Sequence, residues 1–123
     1  MRALRVFQVT RRGITVRVRV LPGVREVTQA WCKKSAASGR TWSLALDDGL
    51  EVHGFTIARA GGGHAEITLP LAGWTPGLVA HEVVHAATSF GHRNSGDDEP
   101  MAYFVGDMVD SICARLRKLE AAR

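Results

Sequence analysis

Residues 75–92 constrain the fold of this chain most. A helix start signal is followed there by residues that are mostly apolar. Thr75 is a suitable N-cap residue, and Pro76 fits the first helical position, where no backbone N–H is needed. Gly91 is a natural stop signal. Apolar residues cover nearly every side of this predicted helix, so we expect it to be buried and its polar side chains to find partners inside the protein.

Inside this predicted helix, the segment His81-Glu82-Val83-Val84-His85 matches the pattern H-E-x-x-H. On a helix, His81 and His85 lie on one face with Cβ atoms about 5–6 Å apart, which allows both imidazoles to bind one metal ion. Glu82 lies at the edge of that face, where it reaches a metal-bound water without being a ligand. The motif predicts a catalytic Zn²⁺ site with Glu82 as general base. The alternative is a chance match, with both histidines hydrogen-bonded in a core.

Zinc in a catalytic site takes three protein ligands, so a third is needed. The best candidate is Glu99, because Asp97, Asp98 and Pro100 around it indicate the start of a second helix. At this end of a helix the dipole also favours a carboxylate, so an ordinary first-turn glutamate is the alternative. Helical spacing defines the buried stripe of this helix as Met101, Phe104, Val105, Met108, Ile112, Leu116 and Leu119.

The competing third ligand is His92. Astacin- and adamalysin-like enzymes use H-E-x-x-H-x-x-G-x-x-H, but Thr88 and Gly91 occupy the glycine and final histidine positions here, so the pattern fails by one residue. If the helix continued, His92 would lie about 10 Å beyond His85 along the axis, too far to share an ion.

The pair of motifs His81-Glu82-x-x-His85 and Glu99-x-x-Ala102 resembles a minimal gluzincin-type metallopeptidase. It is most similar to the small ImmA/IrrE-like and phage-encoded metallopeptidase domains, over residues 64–112. The resemblance implies a zincin-like fold, a bound Zn²⁺ and a protein or peptide substrate. SprT-type proteases are a related alternative, but they usually add a zinc ribbon, and this chain has no C-x-x-C.

The chain departs from the larger gluzincins after Glu99, because their Glu-x-x-x-Asp pattern would need aspartate where Tyr103 stands. Asp107 or Asp110 is the alternative carboxylate partner for a histidine ligand, although both also fit ordinary surface aspartates. Tyr103 lies one turn after Glu99 on the same face. Its phenol is a candidate donor to the oxyanion of a tetrahedral intermediate, and a packing role is the alternative.

Composition places the chain as one domain, residues 1–123. Its content of 46% hydrophobic and 23% charged residues is ordinary for a soluble globular protein. The N-terminus shows no signal-peptide pattern, so a cytoplasmic location is expected. The two cysteines, Cys32 and Cys113, form neither a metal-ligand pattern nor a disulfide framework, which agrees with a reducing compartment.

The remaining patterns predict an α+β fold. Its sheet is small and mixed or antiparallel, with about four to five strands packed on the H-E-x-x-H helix and a C-terminal helix, and one additional N-terminal helix is expected. The predicted segments are strands 3–9 and 14–21 joined by 10–13, a helix over 24–36, a loop over 35–40, a hairpin of 41–46 and 50–58 about Asp47-Asp48-Gly49, and a strand over 64–71.

In the last of these strands, Pro70 cannot donate to a sheet ladder, so we expect an edge strand or a strand that ends there. In zincin-like folds the strand before the H-E-x-x-H helix commonly borders the cleft and pairs with an extended peptide. The resemblance therefore implies that the edge near Glu66 to Leu69 binds substrate by β-augmentation. His53 has no motif context, and no role is assigned to it.

The formal net charge of +4 is unevenly distributed, with arginines crowded into the first quarter of the chain and at its end. On the strand over 14–21, Arg17 and Arg19 alternate with valines and face away from them. Solvated faces explain this pattern, and a surface for nucleic acid or an acidic partner is the sharper alternative. The competing function is thus a non-catalytic regulatory or nucleic-acid-binding module with a structural metal or none.

Overall fold

The computed structural model describes residues 3–37, 51–58, 64–89 and 99–122. In this part of the chain, four strands form one mixed sheet in the order β1-β2-β4-β3. The strands are β1 Arg5–Arg11, β2 Ile14–Gly23, β3 Phe55–Ala58 and β4 His64–Ala72. β1 and β2 are antiparallel, β2 and β4 are parallel, and β3 and β4 are antiparallel.

The described part contains three helices, which are α1 Val24–Ala37, α2 Pro76–Ser89 and α3 Glu99–Ala121. The predicted α+β class, the mixed sheet and the three helices are confirmed. The predicted loop over 35–40 is wrong at its start, because α1 continues through Ser35 to Ala37. Ser35 lies in the last turn of that helix and is buried.

The β1–β2 hairpin has a tighter turn than the predicted four-residue connection. Arg11 still pairs with Ile14, so only Arg12 and Gly13 lie in the turn. Both residues have positive φ, 54° and 77°, as a two-residue type I′ turn requires. This turn matches the twist of the flanking strands and fixes their register.

The two faces of the sheet carry separate cores. Val16, Val18 and Val20 of β2 are fully buried on the face covered by α2 and α3, as the alternation predicted. The predicted stripe of α3 packs there too, with Phe104 and Met108 fully buried. A smaller core on the opposite face joins α1 to the sheet and contains Leu21, Val27, Ala30 and Phe55.

The placement of β4 corrects the predicted edge strand. β4 lies inside the sheet, paired with β2 from His64 to Ala72 and with β3 from Ala65 to Thr68. Pro70 is tolerated because the pairing with β3 stops at Thr68, so no β3 residue lies opposite the proline. The segment Glu66 to Leu69 is therefore not an open edge, and among the described strands the outermost one on this side is β3.

Some predicted features lie outside the described residues, namely the strand over 41–46, the turn Asp47-Asp48-Gly49 and the stop at Gly91. Of the predicted strand over 50–58, only Phe55–Ala58 is a strand, and residues 51–54 have no regular structure. In the described ranges, no helix has the length and apolar composition needed to cross a membrane.

Both cysteines are buried. Burial raises the pKa of the Cys113 thiol, Arg117 lowers it in part, and Asp110 raises it further. A buried thiol of raised pKa is a poor nucleophile, so Cys113 acts as an apolar core residue of α3.

The start of α2 follows the predicted capping pattern. Thr75 Oγ1 accepts a hydrogen bond from the Leu78 backbone N–H at 3.0 Å, and its carbonyl accepts one from the Val79 N–H at 3.0 Å. Pro76 is the first helical residue. The cap satisfies an N–H group that the helix itself leaves without a partner.

We predict that Thr75→Ala lowers the free energy of unfolding by about 1 kcal/mol, because it removes the side-chain oxygen that caps α2. Thr75→Ser keeps that oxygen and serves as the matched control, with a loss well below that of the alanine variant. Urea unfolding followed by circular dichroism measures both. Equal stability of the alanine variant and the wild type would show that the cap contributes nothing.

Candidate metal centre

The two histidines of the H-E-x-x-H segment point their rings at one common position. Their Nε2 atoms are 3.2 Å apart, and their ring centroids are 4.8 Å apart with an angle of 78° between the ring planes. Both side chains are exposed, 67% in the case of His81, so the pair lies at the surface rather than hydrogen-bonded in a core. The alternative of a chance match with both histidines hydrogen-bonded in a core therefore does not describe this pair.

The distance between the two nitrogen atoms fits a shared zinc ion. Two Zn–N bonds of about 2.0–2.1 Å at a tetrahedral angle place the nitrogens about 3.3–3.4 Å apart. The observed separation of 3.2 Å is within about 0.2 Å of that value. The same contact also permits a hydrogen bond between a protonated and an unprotonated ring nitrogen, so the distance alone does not identify the occupant.

Glu82 differs from the two histidines because it is buried, with 4% of its surface exposed. Its Oε1 accepts a hydrogen bond of 2.8 Å from the Thr56 hydroxyl, which also lies 3.1 Å from the backbone carbonyl of Glu82. Its Oε2 lies 3.9 Å from Nε2 of His81. One carboxylate oxygen is thus anchored to β3, and the other faces the histidine pair.

The backbone around Gly54 allows this close packing of β3 against α2. A Cβ atom at Gly54 would lie 3.2 Å from Leu78 Cδ1, 3.3 Å from the Thr68 carbonyl oxygen and 3.4 Å from Glu82 Cγ. These contacts are tighter than ordinary van der Waals separations. A glycine at this position therefore lets the chain before β3 approach the buried carboxylate.

A hollow of about 500 Å³ opens beside the histidines. Its walls are residues 51–54 on one side and Gly77, Leu78, His81 and Glu82 of α2 on the other. Thr28 of α1 holds the first wall, since its Oγ1 accepts a hydrogen bond of 2.9 Å from the Val52 N–H. The hollow thus has His81 and the anchored carboxylate of Glu82 in one wall.

Sequence reasoning missed two residues of this site. Thr56 carries no motif, and its contact with Glu82 joins residues 26 positions apart. His53 lines the hollow, and its Nε2 lies 3.3 Å from Oε2 of Glu51. The only local signal for Thr56 is a hydroxyl between the apolar residues Phe55 and Ile57 of a short strand.

The contact between Trp74 and Glu120 shows the relative direction of α2 and α3. Trp74, just before α2, donates a hydrogen bond from Nε1 to Glu120 at the end of α3, so the two helices run antiparallel. Glu99 therefore begins α3 at the end of the pair where α2 finishes. The side chain of Glu99 and all of His92 lie outside the described residues.

Within the described ranges, no three His, Cys, Asp or Glu side chains form a group that could hold a metal ion. Tyr103 is 58% exposed, and the guanidinium of Arg12 lies 5.5 Å from its ring centroid. Asp107 and Asp110 are exposed on α3. The described part of the site thus consists of two converging imidazoles and one anchored carboxylate.

A comparison of the chain with protein-family models, curated proteins and solved structures found no match.

We predict that Thr56→Val lowers the free energy of unfolding by about 1–3 kcal/mol, because it leaves a buried carboxylate without its hydrogen-bond donor. Thr56→Ser retains the hydroxyl and should lose much less. Urea unfolding of both variants checks the difference. A valine variant as stable as the wild type would mean that the Thr56 hydroxyl does not hold Glu82.

Proposed function

We propose that the protein is a zinc-dependent metallopeptidase of the gluzincin type, with a zincin-like fold, which hydrolyses peptide bonds of a protein substrate. His81, His85 and Glu99 would hold the zinc ion, and Glu82 would act as general base. The observation that carries this proposal is the pair of Nε2 atoms 3.2 Å apart beside a carboxylate that is 4% exposed.

When bound, zinc would supply Lewis-acid chemistry, lowering the pKa of a water molecule and polarising the substrate carbonyl. Glu82 would take a proton from that water molecule at Oε2, the oxygen that faces the histidines. It would later deliver the proton to the leaving amine. Thr56 holds the other oxygen, so the carboxylate stays oriented while its protonation state changes. Burial keeps bulk water from competing for the proton.

The anchored carboxylate supports a catalytic site over a structural one. A structural zinc site is closed by four protein ligands and needs no additional acid or base. Here the protein holds Glu82 next to the histidine pair with a threonine from another element, although burying a carboxylate costs free energy. That cost is explained if the carboxylate transfers protons.

The sheet edge supports a peptide substrate. Among the described strands β3 is the outermost one beside α2. The strand predicted over 41–46 as its hairpin partner lies outside the described residues. An extended peptide pairing with β3 would pass the hollow that contains His81 and Glu82. β3 thus replaces the edge that the sequence had placed at Glu66 to Leu69.

Two side chains are candidates to contact the substrate carbonyl oxygen. Tyr103 keeps the role proposed from its spacing to Glu99, and its exposed phenol is accessible to a ligand. His53 is the second candidate, because it lines the same hollow as Glu82. Arg17 is less suited to a polyanion than its spacing indicated, because its guanidinium lies 3.3 Å from Glu66.

We predict that zinc-loaded Glu82→Gln keeps one equivalent of metal but loses about 10²–10⁴-fold in peptide cleavage, because the amide cannot accept the proton. Elemental analysis gives the metal content, and a fluorescence-quenched peptide library or unfolded casein gives the rate. Glu51→Gln is the matched control, since it removes an exposed carboxylate from the rim of the same hollow.

The histidine variants complete this test. His81→Ala and His85→Ala should each lose the bound zinc together with the activity. A Glu82→Gln variant as active as the wild type would remove Glu82 from the mechanism. A wild-type protein that binds zinc and cleaves no peptide would instead favour the non-catalytic alternative.

A separate prediction concerns the third ligand. Glu99→Ala should weaken zinc binding by more than the 10–100-fold typical of losing an outer-shell partner, because it removes a ligand itself, whereas His92→Ala should leave affinity unchanged. Competition with a chromophoric zinc chelator measures both constants without any need for a substrate. The reverse result would transfer the ligand role to His92.

A further inference from the structure

A second hollow, distant from the histidines, lies where the start of β1 meets the last turns of α3. Its volume is about 230 Å³. We call it the basic hollow, and it is lined by Arg5, Phe7, Arg115, Lys118, Leu119 and Ala122. Three of these six residues are cationic and none is acidic.

The cations of the basic hollow differ from Arg17 and Lys34 in having no carboxylate partner among the described residues. Arg17 and Lys34 share Glu66, at 3.3 Å and 3.7 Å. No ion pair of the described residues includes Arg5, Arg115 or Lys118. The three like charges repel one another. The unpaired carbonyl groups at the end of α3 offset part of that repulsion, and an anion bound between the cations would relieve more of it.

The acidic side chains of α3 lie away from this hollow. Asp107 and Asp110 are one to two turns nearer the start of the helix than Arg115. Glu120 accepts the hydrogen bond from Trp74, on the side of α3 that faces α2. The face of α3 that adjoins β1 near its end is thus uniformly basic.

The geometry also fixes one of the cations in place. The Arg115 guanidinium lies 4.9 Å from the centroid of the Phe7 ring, which is itself buried at 6% exposure. This stacking already restricts the conformations of the Arg115 side chain, so less conformational entropy is lost when a ligand binds. Arg5 faces the same hollow from β1, whose outer edge has no partner among the described strands.

We propose that the basic hollow binds the phosphodiester backbone of a nucleic acid. Arginine forks match phosphate oxygens in pairs, and Lys118 adds a further point charge. An acidic protein is the less suitable occupant, because protein interfaces depend on exposed aromatic or aliphatic anchors. Here Phe7 is buried and Leu119 is half-buried, so charge is the main feature that the hollow offers.

This location differs from the one expected from the sequence. Arg5 pairs with Val20 and so lies on the sheet face that α3 covers, whereas Arg17 and Arg19 lie on the opposite face. The nucleic-acid contact therefore involves residues from the two ends of the chain, which only the packing of α3 against β1 brings together.

Fluorescence anisotropy with a labelled 20-base-pair DNA of arbitrary sequence, titrated at several salt concentrations, tests the proposal. For duplex DNA, each phosphate contact contributes about 0.9 to the slope of log affinity against log salt. The double variant Arg115→Ala/Lys118→Ala should reduce that slope by about two and weaken binding at least about tenfold at low salt. Arg5→Ala, a milder change on β1, should reduce the slope by about one.

The matched control is Arg25→Ala/Lys33→Ala, which removes the same charge from two exposed positions of α1 on the other face of the sheet. It should leave the slope unchanged. Equal reductions of the slope by the two double variants would show that DNA is attracted by net charge alone. That result would overturn the proposed site. Unchanged binding by the hollow variants would do the same.

Polyglutamate and a labelled single strand of the same length complete the design. Binding of polyglutamate that depends on Arg115 and Lys118, without any binding of DNA, would assign the hollow to an acidic protein and overturn the proposal. Stronger binding of the single strand than of the duplex would keep the phosphate contact and change only the form of nucleic acid. Glu82→Gln should bind as the wild type does, because this site is independent of the metal centre.

Discussion

The hydrogen bond from Thr56 to the buried carboxylate of Glu82 is the contact on which the site depends. It links the edge strand β3 to the helix α2 and fixes the orientation of a charged group that burial would otherwise destabilise. The contact requires β3 to lie close to α2, which the glycine at position 54 permits. The same packing places residues 51–54 opposite His81 and so forms the hollow.

The interior position of β4 makes this arrangement rigid. β4 pairs with β2 along its length and with β3 over four residues, while Ile67 and Leu69 are fully buried under α2 and α3. Each such side chain contributes about 1.5–3 kcal/mol by leaving water. The backbone of the helix that carries the two histidines therefore rests on a largely buried strand of the sheet, which fixes where the imidazoles begin.

Local sequence patterns correctly predicted the structural features that depend only on residues close together in the sequence. The cap at Thr75, the valine alternation of β2 and the stripe around Phe104 are all read within one or two turns or strand repeats, and all are present. The interior place of β4 was not predictable in this way, because strand order depends on which segments pair across the chain. Thr56 escaped notice for the same reason, since only the tertiary fold brings a strand threonine to a helix glutamate.

The two proposed sites use opposite edges of the sheet. The metal centre lies beside β3 and the basic hollow beside β1, which are separated by three strand spacings of about 4.8 Å each, or about 14 Å across the sheet. Along α3, Arg115 lies 16 residues after Glu99, which corresponds to about 24 Å of helix. A nucleic acid that contacts the basic hollow would therefore approach a different edge of the sheet from the one beside which the histidines lie.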